Sequence, residues 1–215
     1  MRLQSIATAV LSDAMDALSL PSTFIDGGVR RLAGKRFAGR ARTVDRAPSP
    51  TNARQPQVDP TLGMGIQEAI DAAPAGAVMV IAARGDLSAA MWGGNMGIRA
   101  RSVGVCAVVT DGTVRDLDEM DALGLAVFGQ GCCSRQAYER YVTLSVGAPV
   151  IVGGVRISHD DILVGDGDGV VVIPSAQADE IAARAEAITA VEAQMQAFLE
   201  EGNTLVDAIR KFRQR

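Results

Sequence analysis

Apolar residues at Leu3, Ile6, Ala7, Val10, Leu11, Ala14, Met15 and Leu18 recur at helical spacing, and Pro21 closes the segment. The chain therefore opens with an amphipathic helix, with Asp13 and Asp16 on or beside its polar face. The runs 77–82 and 105–109 are continuously apolar and short, the pattern of strands buried on both faces. Shorter strand patterns follow over 125–128, 149–152, 156–158, 162–164 and 170–174. Residues 66–73 predict a short helix, and 87–103 a longer one interrupted by Gly93, Gly94 and Gly97. Ile181, Ile188, Val191, Met195, Phe198 and Leu199 mark one side of a helix over 176–201 that Gly202 ends, and 205–212 forms another. The expectation is an α/β domain over 1–175 and a helical tail, 176–215, packed on that domain or on a neighbouring subunit.

Composition sharpens this picture. The 215 residues suffice for a full core, and 48% hydrophobic with only 4% aromatic content means a core of Ala, Val, Ile, Leu and Met. Net charge is −4, which argues against nucleic acid as a partner. Arg30, Arg31, Lys35, Arg36, Arg40, Arg42 and Arg46 form a basic cluster without interleaved aromatics. It reads as solvated surface around short strands rather than an RNA groove. No apolar stretch reaches membrane-spanning length and the first twenty residues lack a leader pattern, so the expectation is a soluble, cytoplasmic protein without a membrane partner. Pro48, Pro50, Pro56 and Pro60 make 47–61 a long loop, of the kind that walls active sites.

Candidate chemistry centres on Arg115-Asp116. Asp111-Gly112 turns the chain out of the apolar run, and the turn delivers a guanidinium and a carboxylate side by side. An Arg fork suits a substrate carboxylate, and a lone carboxylate suits Mg²⁺ when substrate and water complete its shell. The alternative is an ion-paired turn. Gly93-Gly94 either lets backbone approach an anion at the following helix N-terminus or serves close helix packing. Cys106, Cys132 and Cys133 lack zinc spacing and read as packing residues, with the adjacent pair a redox candidate. His159, the single histidine, falls on a turn. The run 165–169 lacks the remaining ligands of a calcium loop and reads as a turn between strands.

The stretch Asp86 to Asp116, with Ala90-Met91-Trp92-Gly93-Gly94 and Asp111-Gly112-Thr113-Val114-Arg115-Asp116, resembles the RraA-like family. Ser12-Asp13-Ala14, Ala38-Gly39-Arg40-Ala41-Arg42-Thr43-Val44, Pro149-Val150, Gly153-Gly154-Val155 and the stretch from Gly165 to Pro174 extend the similarity over most of the chain. That family includes 4-hydroxy-4-methyl-2-oxoglutarate / 4-carboxy-4-hydroxy-2-oxoadipate aldolases, oxaloacetate decarboxylases and regulators of ribonuclease activity. The resemblance implies a swivelling β/β/α-type single domain, assembled as homotrimers or hexamers with active sites between subunits. It implies that Asp116 is the direct Mg²⁺ or Mn²⁺ ligand and that Arg115 holds the pyruvate moiety. Gly93, Gly94, Asn95 and Met96 match the turn that binds the substrate carboxylate through backbone N–H groups. Glu192, by its spacing from Gly202, matches an acid on the C-terminal helix that reaches a neighbour's metal-bound waters.

One position departs from the aldolases, which carry an acid twenty residues before Arg-Asp where this chain has Gly94. Without that carboxylate, decarboxylation, which needs no general base, is favoured over retro-aldol cleavage. Both reactions generate the enolate of pyruvate, and a protein stabilises it by a Schiff base or a Lewis acid. Lys35 and Lys211 are the only lysines, and neither lies on an apolar strand, so a metal route is favoured. The expected function is a metal-dependent lyase acting on a small 2-oxo acid. The alternatives are a non-enzymatic regulator of ribonuclease activity that binds a protein partner, and a hydratase or isomerase on the same scaffold.

Overall fold

The computed structural model describes residues 2–49, 65–138 and 140–212. A 3₁₀ turn, Arg2–Ser5, leads into α1, Thr8–Ala17, followed by β1, Arg30–Ala33, and β2, Phe37–Pro48. Next come α2, Ile66–Asp71, β3, Ala77–Ala82, β4, Ala90–Trp92, and α3, Gly94–Val103. β5, Ala107–Thr110, β6, Thr113–Val114, α4, Leu117–Leu123, β7, Ala126–Gly129, and β8, Gly131–Cys132, complete the middle of the chain. The last part holds β9, Tyr141–Val146, β10, Val150–Val152, β11, Val155–Ile157, β12, Ile162–Gly165, and β13, Val170–Ile173. Two helices, α5, Ala178–Glu200, and α6, Leu205–Phe212, end it.

The main sheet has eight strands in the order β1-β7-β5-β3-β2-β12-β13, with β9 also paired to β2. Its centre, β7-β5-β3-β2, is parallel. β2 is long enough to serve two partners along one edge: its first residues pair with β12 and its last with β9, both antiparallel. β3 alternates cleanly, and each face of the sheet buries its own cluster. Met79 and Ile81 pack under α2, α3 and α4 with Trp92 and Met120. Val78 and Val80 pack toward the β10-β11 hairpin with Phe128, Val152 and Ile157. A third cluster joins α1 and α5 to β12 and β13 through Leu11, Met15, Val164, Ile173, Ile181 and Ala185. The result is a mixed α/β single domain with C-terminal helices, and among the described residues no helix is long and apolar enough to cross a membrane.

Four expectations change. Residues 87–103 are not one helix: Ala90–Trp92 is a strand, and Gly93, in an extended conformation, caps the helix that starts at Gly94. Two adjacent glycines favour such a break over a continuous helix. The basic cluster is not all solvated surface, because β2 runs through it and its inward face buries Arg46 to 7% exposure. β9, absent from the strand pattern, forms against the end of β2. The proline-rich stretch begins with Ala47 and Pro48 inside β2, and its remainder from residue 50 to 61 lies outside the described residues.

Asp111 ties the exits of β3 and β5 together. Its carboxylate accepts hydrogen bonds from the N–H groups of Ala83, at 2.6 Å, and Gly85, at 3.1 Å. Burial pushes its pKa up, against those bonds. A Cβ at Gly112 would lie 2.7 Å from that of Ala83, so only glycine fits beside this anchor. Asp111→Ala orphans two buried donors at about 1–3 kcal/mol each, partly offset by losing a buried charge. The melting temperature should fall by about 5 °C, measured by differential scanning calorimetry; no change would remove the anchor's role.

Candidate active site

A second sheet, β4-β6-β8, has three parallel strands with Trp92, Val114 and Cys132 in register. Parallel strands end at one edge, so the residues that follow each strand arrive together. These are Gly93-Gly94 at the start of α3, Arg115-Asp116 at the start of α4, and Cys133. Ligands of α/β proteins bind at such carboxyl ends, where helix N-termini also point.

Asp116 adopts φ 59°, the left-handed region that few residues other than glycine occupy, and it stands at the N-cap position of α4 without a side-chain capping bond. Strain of that kind is held where the surrounding structure fixes it. Here Asp116 Oδ2 accepts the Gly94 N–H at 2.8 Å and lies 3.4 Å from Arg115 Nε. Oδ1 has no hydrogen-bond partner among the described residues. Both side chains are partly exposed, at 39% for Arg115 and 35% for Asp116. A Cβ at Gly93 would lie 2.9 Å from both Arg115 Nε and Asp116 Oδ2, so a side chain there would push these two groups from their present positions. The Gly94 N–H is thus spent on orienting Asp116. The N–H groups of Asn95 and Met96, in the first turn of α3, remain without acceptors among the described residues.

Glu119 was not among the sequence candidates. Its carboxylate, one turn into α4, occupies the volume that a Cβ at Gly94 would need. Position 94 itself has no side chain, as the sequence reading noted, but a carboxylate from α4 lies where one would start. The signal was Glu119 three residues after Asp116, on the same side of α4.

Arg115 stands between two recesses of opposite character. On one side a groove of about 440 Å³ is lined by Arg115, Asp116, Asp118, Glu119, Cys132 and Cys133, rich in carboxylates. On the other, a cavity of about 160 Å³ is lined by Arg46, Trp92, Gly93, Asn95, Met96 and Arg115, among others, and by no acidic residue among those described. Arg46 lies over the Tyr141 ring at 5.8 Å, and among the described residues its guanidinium reaches the Met91 sulfur at 3.8 Å and the Tyr141 carbonyl at 3.4 Å. Burial lowers its pKa to about 10, which leaves it a cation at neutral pH. Burial also raises the Tyr141 hydroxyl to about 12, helped by its bond to Asp86.

Other candidates fall elsewhere. Glu192 lies on α5 in a separate groove with Asp13, Asp16, Arg184 and Met195, so one chain alone does not bring it to Asp116. Lys35 is exposed and Lys211 sits 4.3 Å over the Phe198 ring; neither lines the two recesses. Cys106 is a packing residue whose thiol burial raises to about 11, whereas Cys132 and Cys133 line the acidic groove. His159 contacts Arg42 and Thr43 away from the site. Among the described residues no set of three or more His, Cys, Asp or Glu side chains converges closely enough to hold a metal by itself.

Fold and site define a mixed α/β protein with a charged cleft at parallel strand ends. Residues 8–172 match the RraA-like family, described as Aldolase/RraA, and the chain belongs to it. It is 30% identical over 184 residues to a provisionally named 4-hydroxy-4-methyl-2-oxoglutarate aldolase of Halalkalibacterium halodurans, covering 85% of this chain and 80% of that protein. An uncharacterized protein from Pseudomonas syringae pv. tomato shares the fold at a TM-score of 0.86 and 28% identity, over 98% of this chain and 92% of its own. Streptomyces coelicolor RraAS2, an unusual member of the RNase ES inhibitor RraA family, has a TM-score of 0.79 at 22% identity, over 94% and 96% of the two chains.

Proposed function

We propose that the chain is a divalent-metal-dependent lyase that releases pyruvate from a 4-hydroxy-2-oxo acid and decarboxylates oxaloacetate. The observation that carries this reading is Arg115-Asp116 fixed between an acid-rich groove and an acid-free, arginine-lined cavity. A regulator that only binds another protein has no use for such a division of charge, and its support is a likeness of fold.

The residues fit a hydrated Mg²⁺- or Mn²⁺-type site, in which one carboxylate binds directly and water or substrate supplies the rest. Asp116, with Oδ2 held by Gly94 and Oδ1 open, is the direct ligand, and Glu119 stands where it can accept hydrogen bonds from the outer shell. When bound, the ion supplies Lewis-acid stabilisation of negative charge on a substrate oxygen. Arg115 binds the substrate carboxylate, and the Asn95 and Met96 N–H groups complete that cradle. Glu119 also brings an acceptor for the 4-hydroxyl proton, so cleavage of the carbon–carbon bond is within this site's reach as well as decarboxylation. With neither lysine at the cleft, no amine is placed for a Schiff base. Glu192 reaches such a site only from another subunit, so the reading includes a homo-oligomer, trimer or hexamer.

The test is a coupled pyruvate-release assay with oxaloacetate and a panel of 4-hydroxy-2-oxo acids. Release should require Mg²⁺ or Mn²⁺, stop with EDTA and return when the metal is restored. No pyruvate from any of these acids would overturn the lyase reading.

A further inference from the structure

The arginine-lined cavity contains more than the lyase reading uses. Two of its lining residues carry buried polar atoms without a hydrogen-bond partner among the described residues: Arg46 through Nε and Trp92 through Nε1. Both are donors, and both residues are almost fully buried, at 7% and 1% exposure. Buried donors are nearly always paired, and a buried guanidinium without a carboxylate is among the costliest arrangements a fold retains. Among the described residues Arg46 has no ion-pair partner; its neighbours are a thioether, a carbonyl and the face of a phenol ring. The other polar side chains lining the cavity, Gln67, Asn95, Gln136 and Tyr138, are uncharged, and the remaining cation among the described lining residues is Arg115. Ile66, Met91 and Met96 supply an apolar wall for a short carbon skeleton.

We propose that the Arg46–Trp92 wall is a second anion subsite, which takes the distal carboxylate of a dicarboxylic 2-oxo acid held by Arg115 at its other end. Arg46 is then the residue that selects diacids over monoacids. This rests on the reading of Arg115-Asp116 as the 2-oxo acid site. A guanidinium that packs on Tyr141 only to fill space would treat both kinds of acid alike, which is what separates the two roles.

The experiment uses the full chain with Mg²⁺ and two acids that cannot be cleaved, 2-oxoglutarate and 2-oxobutyrate, titrated by calorimetry. Trp92 is the single tryptophan, so its fluorescence reports whether the ligand enters this cavity. Wild type should bind 2-oxoglutarate about tenfold or more tighter, the worth of one charge-assisted hydrogen-bonded pair. Arg46→Met should bring the two affinities within about threefold through loss of 2-oxoglutarate binding, with a melting temperature at or above wild type. Arg46→Lys keeps the charge without the fork and should fall between them; if the Met variant does not fold, an unchanged ratio in the Lys variant overturns the proposal. An unchanged ratio in Arg46→Met, an equal loss for both acids, or no preference in wild type overturns it too. Diacid preference without any pyruvate-releasing activity would remove the lyase reading and leave the subsite; activity without the preference would do the reverse.

Discussion

Asp116→Asn should lower kcat/KM for metal-dependent pyruvate release by at least about a thousandfold, with a melting temperature within a few degrees of wild type. The substitution is chosen to spare the fold. Asn tolerates the left-handed conformation that position 116 adopts, and its side-chain oxygen still accepts the Gly94 N–H. What it removes is the negative charge facing the groove and the open oxygen. Metal should therefore bind more weakly, seen as a higher Mn²⁺ concentration for half-maximal activity. Full activity in this variant, with metal dependence intact, would place the ion elsewhere.

The exchange between Gly94 and Glu119 has the second large expected effect. Glu119→Ala should cost about a hundredfold in kcat/KM, because the carboxylate beside Asp116 is lost. Gly94→Asp should cost at least as much, since its side chain enters volume that Glu119 already fills and sets two like charges in contact. The double variant Gly94→Asp/Glu119→Ala places one carboxylate in that volume again and should recover at least about tenfold over either single change. Such recovery is a coupling between neighbours that independent sites do not show. A double variant as impaired as the product of the singles would mean that Glu119 does not stand in for an acid at position 94.

What the sequence disclosed was mostly local in the chain. Arg115-Asp116 is a dipeptide after an apolar run, which placed it at the exit of the strand over 105–109; the structure sets it one strand later, after the two-residue β6 of the second sheet, too short to read as a strand. The continuous apolar run of β3 and the apolar side of α5 also read directly from their spacing, and Gly202 marked where α5 gives way to α6. β2 was obscured because arginine stems cover its alternation, and long charged side chains bury their carbons whether or not the head reaches water. Arg46 looked like one more surface cation until β9 and Tyr141 closed over it. β4 is three residues long, too short to show a period of two beside a helical stretch. Glu119 meets Gly94 only across space, between the first turns of two helices, a relation that no spacing rule along one chain contains.

The three short strands that end side by side have a consequence for how such a protein diverges over time. The residues just past their tips, Gly93-Gly94, Arg115-Asp116 and Cys133, lie outside the eight-stranded sheet. A mutation at one tip leaves the main framework's pairing intact, so an acid can be lost from one loop and regained from the neighbouring helix without refolding the molecule. Lineages are thereby free to shuffle ligating groups among adjacent loops, and descendants with unlike local motifs can preserve the same catalytic outline.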